Sequence, residues 1–452
     1  MSANFSHESI VALASAAGRA GVAVIRLSGP QAREALRRTC FPSDLPSPRH
    51  VALRRFVDFR TGELVDHALV LFFPGPNSFT GEDVAEFQVH GGRAVVATVL
   101  EVLCAIDGIR PADPGEFSRR AFENSKMDLT EAEAIADLVD AETAAQRRQA
   151  LRQMDGELGA LYTGWADRIK YALAFIEAEI DFADEDIPED ITKDRLSDMK
   201  ALAQEMETHL NDEHRGERLR DGFMVALLGA PNAGKSSILN KLARREAAIV
   251  DPTPGTTRDI IECQLDLGGY PVTFADTAGL RETVDAIENE GVRRALHRAQ
   301  QADIKLLVFD GTKDPQQDTA TWSLRDDHTF LVINKMDQVV APDVLRQSLL
   351  NEPRTVFVCA TSGEGLSELV ERLVLELNDR YAATTAPALT RTRHRLAVQE
   401  ALDHIQRALS ADQSELCAED LRLAMRAVGR ITGRVDVEDL LDVIFSSFCI
   451  GK

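Results

Sequence analysis

Cysteine is scarce in this chain and nowhere clustered. Cys40, Cys104, Cys263, Cys359, Cys417 and Cys449 are scattered over 452 residues without C-x-x-C spacing. That argues against a zinc site or a disulfide framework and fits a reducing, cytoplasmic setting. No uninterrupted apolar run approaches the ~20 residues of a membrane helix. Residues Met1 to Glu8 lack a basic patch and an apolar core, so they do not read as a secretory signal. Basic residues are also short, 51 against 73 acidic, for a formal charge of −22. A protein that holds RNA by a broad electrostatic footprint is normally basic on some face. Here acids crowd 177–217, among them Glu177, Glu179, Asp181, Asp184, Glu185, Asp186, Glu189 and Asp190. Composition therefore speaks against direct, tight nucleic-acid binding unless a basic partner or a local patch compensates.

What is present is an ordered set of three nucleotide signals. Gly229-Ala230-Pro231-Asn232-Ala233-Gly234-Lys235-Ser236 is a phosphate-binding loop, preceded by the apolar run 223–228 and followed by helical spacing over 236–244. Strand, loop and helix in that order turn the pattern into a site. Gly229 and Gly234 let the backbone approach phosphates, whose charge meets the amides of a helix N-terminus, including those of Ala233 and Ser237. Lys235 reaches the β/γ-phosphates and the Ser236 hydroxyl ligates Mg²⁺. Asp276-Thr277-Ala278-Gly279 then ends a strand-like stretch, with Asp276 as an outer hold on Mg²⁺ and the Gly279 amide facing the γ-phosphate. Last comes Asn334-Lys335-Met336-Asp337, after the strand-like run 329–333. The Asp337 carboxylate can accept from N1 and the amino group of guanine, and adenine offers no such donor pair. GTP hydrolysis is the leading expectation.

Leu280 stands where many small GTPases place a water-orienting glutamine, and leucine cannot orient water. Either hydrolysis is slow, or another group serves; the carboxylates of 281–290 are candidates. Between the first two signals, Asp251-Pro252-Thr253-Pro254-Gly255-Thr256-Thr257 reads as a loop rich in carbonyls and hydroxyls. Thr257 is the natural second hydroxyl on Mg²⁺. With Asn232 the loop forms an oxygen cage for a monovalent cation, or a turn with local Asx bonding.

The rest of the chain reads as other domains around an inserted α/β, Ras-like P-loop GTPase domain at 218–378. Residues 1–121 are α+β, with strand-like runs 21–27, 68–73 and 83–90 and an apolar helix over 93–105. An all-α helical domain covers 122–217 and resumes at 379–452. Asp128 and Glu131 form a capping box, after which Leu151, Met154, Leu158, Leu161, Trp165, Ile169 and Ile176 read as one continuous core stripe. Phe445 and Phe448, so near the chain end, predict a docked tail that fixes Cys449 and Lys452. Cys449 itself reads equally as a reactive thiol or as a small buried hydrophobe.

Gly81-Glu82-Asp83, His90-Gly91-Gly92, Pro114-Gly115-Glu116-Phe117-Ser118-Arg119-Arg120-Ala121-Phe122, the GTPase motifs and the tail Phe448-Cys449-Ile450-Gly451-Lys452 together resemble the MnmE (TrmE) family of tRNA wobble-uridine modification GTPases. The resemblance runs along nearly the whole chain. It implies a homodimer paired through N-terminal domains that bind 5-formyl-tetrahydrofolate or a related one-carbon folate. By position, Arg26, Glu86 and Lys126 contact the folate, Lys452 reaches in from the tail, and Cys449 is a candidate catalytic thiol. It further implies an FAD- and NADH-using partner, MnmG, with which the family adds an aminomethyl or carboxymethylaminomethyl group to carbon 5 of the wobble uridine of tRNA. K⁺ held by Asn232, Asp251, Thr253 and Thr256 answers the Leu280 question, since a charge placed like an arginine finger is worth ~10³–10⁵ in rate in related enzymes. Glu288 matches the water-positioning glutamate. The guanine-side motif, commonly Ser-Ala-Lys, is Cys359-Ala360-Thr361 here. A different class of function, a nucleotide-switched scaffold in ribosome maturation, fits the GTPase core without the folate.

Overall fold

The computed structural model describes residues 8–181, 189–245, 248–249, 262–276, 302–381, 387–435 and 437–451. They group into two compact units, one of 1–136, 153–206 and 397–452, the other of 137–152 and 207–396.

In the first unit, alternation builds a sheet. Along β2 (Ala20–Ser28), Ala23, Ile25 and Leu27 are buried while the residues between them are only partly so. The sheet also contains β1 (Ser9–Leu13), β3 (Cys40–Phe41), β4 (Ala52–Val57), β5 (Leu64–Phe73), β6 (Val84–Gly91) and β7 (Ile109–Pro111), in the order β3-β4-β5-β6-β2-β1-β7. All neighbours are antiparallel except β1 and β7. Helices α1 (Ala32–Thr39) and α2 (Arg93–Cys104) supply Leu36, Val99, Val102 and Leu103 to a core with Phe56 and Phe87, whose rings meet edge to face. The strand-like runs and the apolar helix expected from the sequence are all present; β1, β4 and α1 were not anticipated.

Helix α3 (Glu116–Glu123) carries a buried ionic chain. Arg120, 4% exposed, bonds Glu116 at 3.0 Å and Glu82 at 3.1 Å. Glu116 also takes Arg110 Nη2 at 2.7 Å and the Asp113 amide at 3.0 Å. Burial pushes the Glu116 carboxyl up, but the hydrogen bonds from Arg110 and Asp113 and the Arg120 charge outweigh it, leaving the pKa below the ordinary value.

The capping box at α4 (Leu129–Asp140) is reciprocal: the Asp128 amide donates to Glu131 Oε2 at 2.8 Å, and the Glu131 amide to Asp128 Oδ1 at 2.9 Å. The continuous stripe expected after it is interrupted. The chain forms α5 (Ala144–Met154) and α6 (Glu157–Asp181), separated at Gly156, whose φ of +84° no helix accommodates. Leu151 is accordingly exposed, whereas Leu158, Trp165, Ile169 and Ile176 of α6 are buried. Helices α7 (Glu189–Leu210), α13 (Thr392–Ser410), α14 (Ser414–Thr432) and α15 (Glu438–Ser446) follow later in the chain. Phe445 and Phe448 meet edge to face at 5.3 Å and pack with Leu129, Ala132 and Leu441, so the tail is docked as expected. The Gly115 amide donates to Cys449 O at 3.4 Å, and Gly451 (φ +99°) lies so close to Leu13 and Ala14 that a Cβ would collide with the Leu13 carbonyl. Cys449 is exposed, which removes the reading of it as a small buried hydrophobe.

The second unit holds β8 (Phe223–Leu228), β9 (Ala248–Ile249), β10 (Glu262–Leu267), β11 (Tyr270–Asp276), β12 (Ile304–Asp310), β13 (Thr329–Asn334) and β14 (Thr355–Phe357), in the order β14-β13-β12-β8-β11-β10-β9. Strands β14, β13, β12, β8 and β11 are parallel and nearly all apolar, because helices cover both faces. Short α8 (Arg215–Asp221) precedes β8; α9 (Lys235–Arg245), α10 (Thr319–Trp322), α11 (Pro342–Ser348) and α12 (Leu366–Tyr381) complete the unit. Among the described residues, no helix is long and apolar enough to cross a membrane.

A depressed Glu116 pKa means stability that is present above the unfolded glutamate value and lost as pH falls through the folded one. Glu116→Gln should lower the urea midpoint at neutral pH and flatten its decline as pH falls through the ordinary glutamate value of about 4.3 and below. A decline as steep as that of the parent would mean that other carboxylates dominate the acid limb.

Candidate functional site

Four chain turns meet at the carboxyl ends of the parallel strands of the second unit, where open α/β sheets bind ligands. The phosphate loop runs from β8 into α9. Gly229 (φ +147°) passes against the Val308 carbonyl of β12 so closely that a Cβ would overlap it. Gly234 (φ +98°) is likewise pressed against the Asn334 side chain. Lys235 is 4% exposed, and its Nζ donates to Gly229 O and Ala230 O, both at 2.9 Å. It therefore sits inside the ring of loop backbone, where a polyphosphate would lie. Ser236 and Ser237 open the helix and are exposed, as is Asn232, which holds the left-handed φ of +63°. Ala233 is buried against the core.

Asn334 closes β13 and is 2% exposed. Its Nδ2 donates to Ala233 O at 2.8 Å, and its Oδ1 accepts the Ala360 amide at 3.0 Å. One carboxamide thus joins the phosphate loop to the loop after β14. Lys335 (φ +62°) reaches back to Asp310 at the end of β12, with Nζ to Oδ2 at 2.6 Å. Burial raises the Asp310 pKa, and the Lys335 and Thr312 hydrogen bonds overcome that to hold it below the ordinary value. Asp310 went unnoticed in the sequence; its position at a strand end was the available signal. Asp337 is exposed, in the turn Met336–Gln338, with its carboxylate beside the Cys359 thiol. Cys359 is buried, with Sγ 3.1 Å from Thr361 Oγ1.

Lys235, Asn232, Ser236, Asn334, Asp337 and Cys359 to Thr361 are therefore gathered along one edge. Asp276 ends β11, parallel to β8, with only its backbone described. Asp251, Thr253, Thr256, Thr257, Thr277, Ala278, Gly279, Leu280, Glu288 and Lys452 lie outside the described residues.

The first unit assembles a second candidate site. Arg26 of β2 lies opposite Glu86 of β6 in register, with Nε to Oε1 at 3.0 Å. The guanidinium packs on the rings of Phe79 (5.4 Å) and Phe117 (5.9 Å). Lys126 is exposed, and its stem runs beside Gly81. Gly451 abuts Leu13, which pairs with Ile25, the neighbour of Arg26. Phe79 and Phe117 were not singled out from the sequence, because their meeting with Arg26 depends on the sheet and α3 together.

Comparison with known proteins agrees with this layout. Residues 9–126 match the family described as GTP-binding protein TrmE N-terminus, and residues 129–449 match the MnmE helical domain. The chain belongs to the MnmE family. It is similar to the tRNA modification GTPase MnmE of Paramagnetospirillum magneticum, 55% identical over 98% of this chain and 100% of the relative. The same-named protein of Parvibaculum lavamentivorans is 52% identical over 98% of this chain and 100% of its own length. The mitochondrial 5-taurinomethyluridine tRNA synthase subunit GTPB3 of Homo sapiens is 46% identical, covering 98% of this chain and 93% of the relative.

Membership in the family does not replace the geometry, and Asn334→Ala tests it. Losing the carboxamide strands two buried backbone groups, at about 1–3 kcal/mol each. A fluorescent guanine nucleotide should bind at least about tenfold more weakly, while circular dichroism stays unchanged. Undiminished affinity would show that the two loops hold their places without the bridge.

Proposed function

We propose that this GTPase of tRNA modification is K⁺-stimulated and, with an FAD- and NADH-dependent MnmG-type partner, modifies carbon 5 of the wobble uridine using a tetrahydrofolate one-carbon donor. The observation that carries the nucleotide half is the Asn334 bridge, which sets the phosphate loop and the base loop at one sheet edge. Family membership supports tRNA as the macromolecular substrate. The scaffold alternative gains no specific observation.

The described residues suit the groups they would hold. Loop amides and Lys235 Nζ face a triphosphate, and Lys235 exchanges its two carbonyl partners for phosphate oxygens. The exposed Ser236 hydroxyl at the start of α9 would hold Mg²⁺, with Thr257 as the second hydroxyl and Asp276 outside them. Mg²⁺ supplies charge neutralisation between the β- and γ-phosphates. Asp337 reads guanine, with the Ala360 amide and the neighbouring Cys359 and Thr361 forming the base loop. Asn232, in an exposed left-handed turn, would present its amide oxygen to K⁺ together with Asp251, Thr253 and Thr256. Glu288 positions the attacking water, the task Leu280 cannot perform.

In the first unit, Arg26 suits a pterin carbonyl or a glutamate carboxylate, with Phe79 and Phe117 as ring platforms behind it. Glu86 would accept from a pterin amine, Lys126 would add charge, and the docked tail brings Cys449 toward the same sheet end; the part of Lys452 rests on the family resemblance. Homodimerisation through this unit completes the site.

GTP turnover should run several-fold faster in KCl than in NaCl at equal ionic strength; equal rates would sink the cation assignment. Glu288→Ala should bind nucleotide normally and lose hydrolysis, and a variant that hydrolyses like the parent would move the role to another acid of 281–290. The reading as a whole is checked by mass spectrometry of tRNA nucleosides from a deletion strain, which should lack the carbon-5 group. Calorimetry with 5-formyl-tetrahydrofolate checks the donor, and no heat of binding would remove it.

A further inference from the structure

The helical part of the first unit holds a partly open cavity of about 160 Å³ that neither candidate site uses. It lies among α6, α7, α13, α14 and the turn at 411–413, and Phe175, Ile176, Met199, Leu409 and Cys417 make its apolar lining. An apolar cavity of about 150 Å³ accepts a benzene ring, so this one has room for a single large apolar side chain.

Two of the segments around it are acidic, while α7 brings Lys200 next to the lining residue Met199. Segments 172–181 and 408–421 hold Glu177, Glu179, Asp181, Asp412, Glu415, Glu419 and Asp420, and neither contains a lysine or arginine. Arg422 pairs with Glu177 and Glu419, and Arg407 and His404 pair with Asp420. Among the described residues, Glu179, Asp181, Asp412 and Glu415 take part in no ion pair. Two of them, Glu179 and Asp412, line the cavity itself. Leu416, 57% exposed, adds apolar surface one residue before Cys417.

We infer that this face docks a basic amphipathic helix of a protein partner, one apolar anchor entering the cavity while Lys or Arg side chains meet Glu179 and Asp412. A buried apolar anchor supplies most of the energy of such a contact. The carboxylates supply steering and selectivity, and they repel a phosphate backbone, so RNA is the wrong occupant. The inference is independent of the nucleotide and folate assignments.

The full-length chain is titrated with three fluorescent peptides of about 18 residues, long enough for five helical turns: an amphipathic Leu/Lys helix, its Leu/Glu counterpart, and a Ser/Lys peptide of equal charge. The Leu/Lys helix should bind at one equivalent, with the other two at least tenfold weaker. Glu179→Lys combined with Asp412→Lys should weaken it at least tenfold and leave GTP hydrolysis intact. Reversing exposed Asp343 and Glu371 in the other unit should change affinity less than twofold. Equal binding of the Ser/Lys peptide would reveal general charge attraction and overturn the site. So would no binding, equal losses in both charge-reversed pairs, or displacement of the peptide by a single-stranded RNA.

Discussion

Two loops 127 residues apart in sequence, reached at Ala233 and Ala360, share one carboxamide, and the nucleotide edge depends on it. Asn334 gives a hydrogen to Ala233 O and takes one from Ala360 N. Both partners are buried, so neither can fall back on water, and an unmade bond there costs the full desolvation of the group. The bridge also dictates what stands beside it. Gly234 has no side chain because a Cβ would occupy the space of the Asn334 amide nitrogen. Gly229 is set by the Val308 carbonyl in the same way. The glycines of the phosphate loop thus answer to the sheet behind them as much as to a phosphate in front.

That double demand explains why this half of the molecule was legible from residues alone. A phosphate loop, a strand-ending aspartate and an Asn-Lys-x-Asp turn are each local, and parallel strands deliver local turns to one edge without further instruction. What was not legible is what crosses between elements. Asp310 looks like any strand-terminal acid until Lys335, held at φ +62°, folds back to it. Glu82, Glu116 and Arg120 lay inside motifs that marked the family, yet their buried chain requires the α3 helix to face the turn at 80–83. The break at Gly156 was missed because apolar spacing continued through it, and spacing does not register a positive φ.

The tail shows the same limit from the other side. Phe445 and Phe448 announced docking, since exposing two rings near a chain end would be unfavourable by about 1.5–3 kcal/mol each. Where they dock could not be read. Gly115 and Gly451, both with positive φ, let the tail backbone come against α3 and β1 without side chains between. Cys449, between those contacts, is fixed in its backbone and open at its thiol. A packing role would have buried it.

Charge connects the two units to the family's substrate. A protein with a formal charge of −22 that acts on tRNA has to keep its acids away from the phosphates. Much of the ionic inventory is already spent internally: Arg120, Arg110 and Arg26 neutralise Glu82, Glu116 and Glu86 within the first unit, where the pairs orient one another. Four acids without an ion pair among the described residues, Glu179, Asp181, Asp412 and Glu415, lie on the helical segments 172–181 and 408–421 around an apolar cavity. Unpaired carboxylates beside apolar surface are a poor bargain for an isolated monomer, because each weakens the other's solvation. They make sense together when a cationic, apolar surface covers both, which places protein on the acidic face and leaves RNA to the rest of the surface.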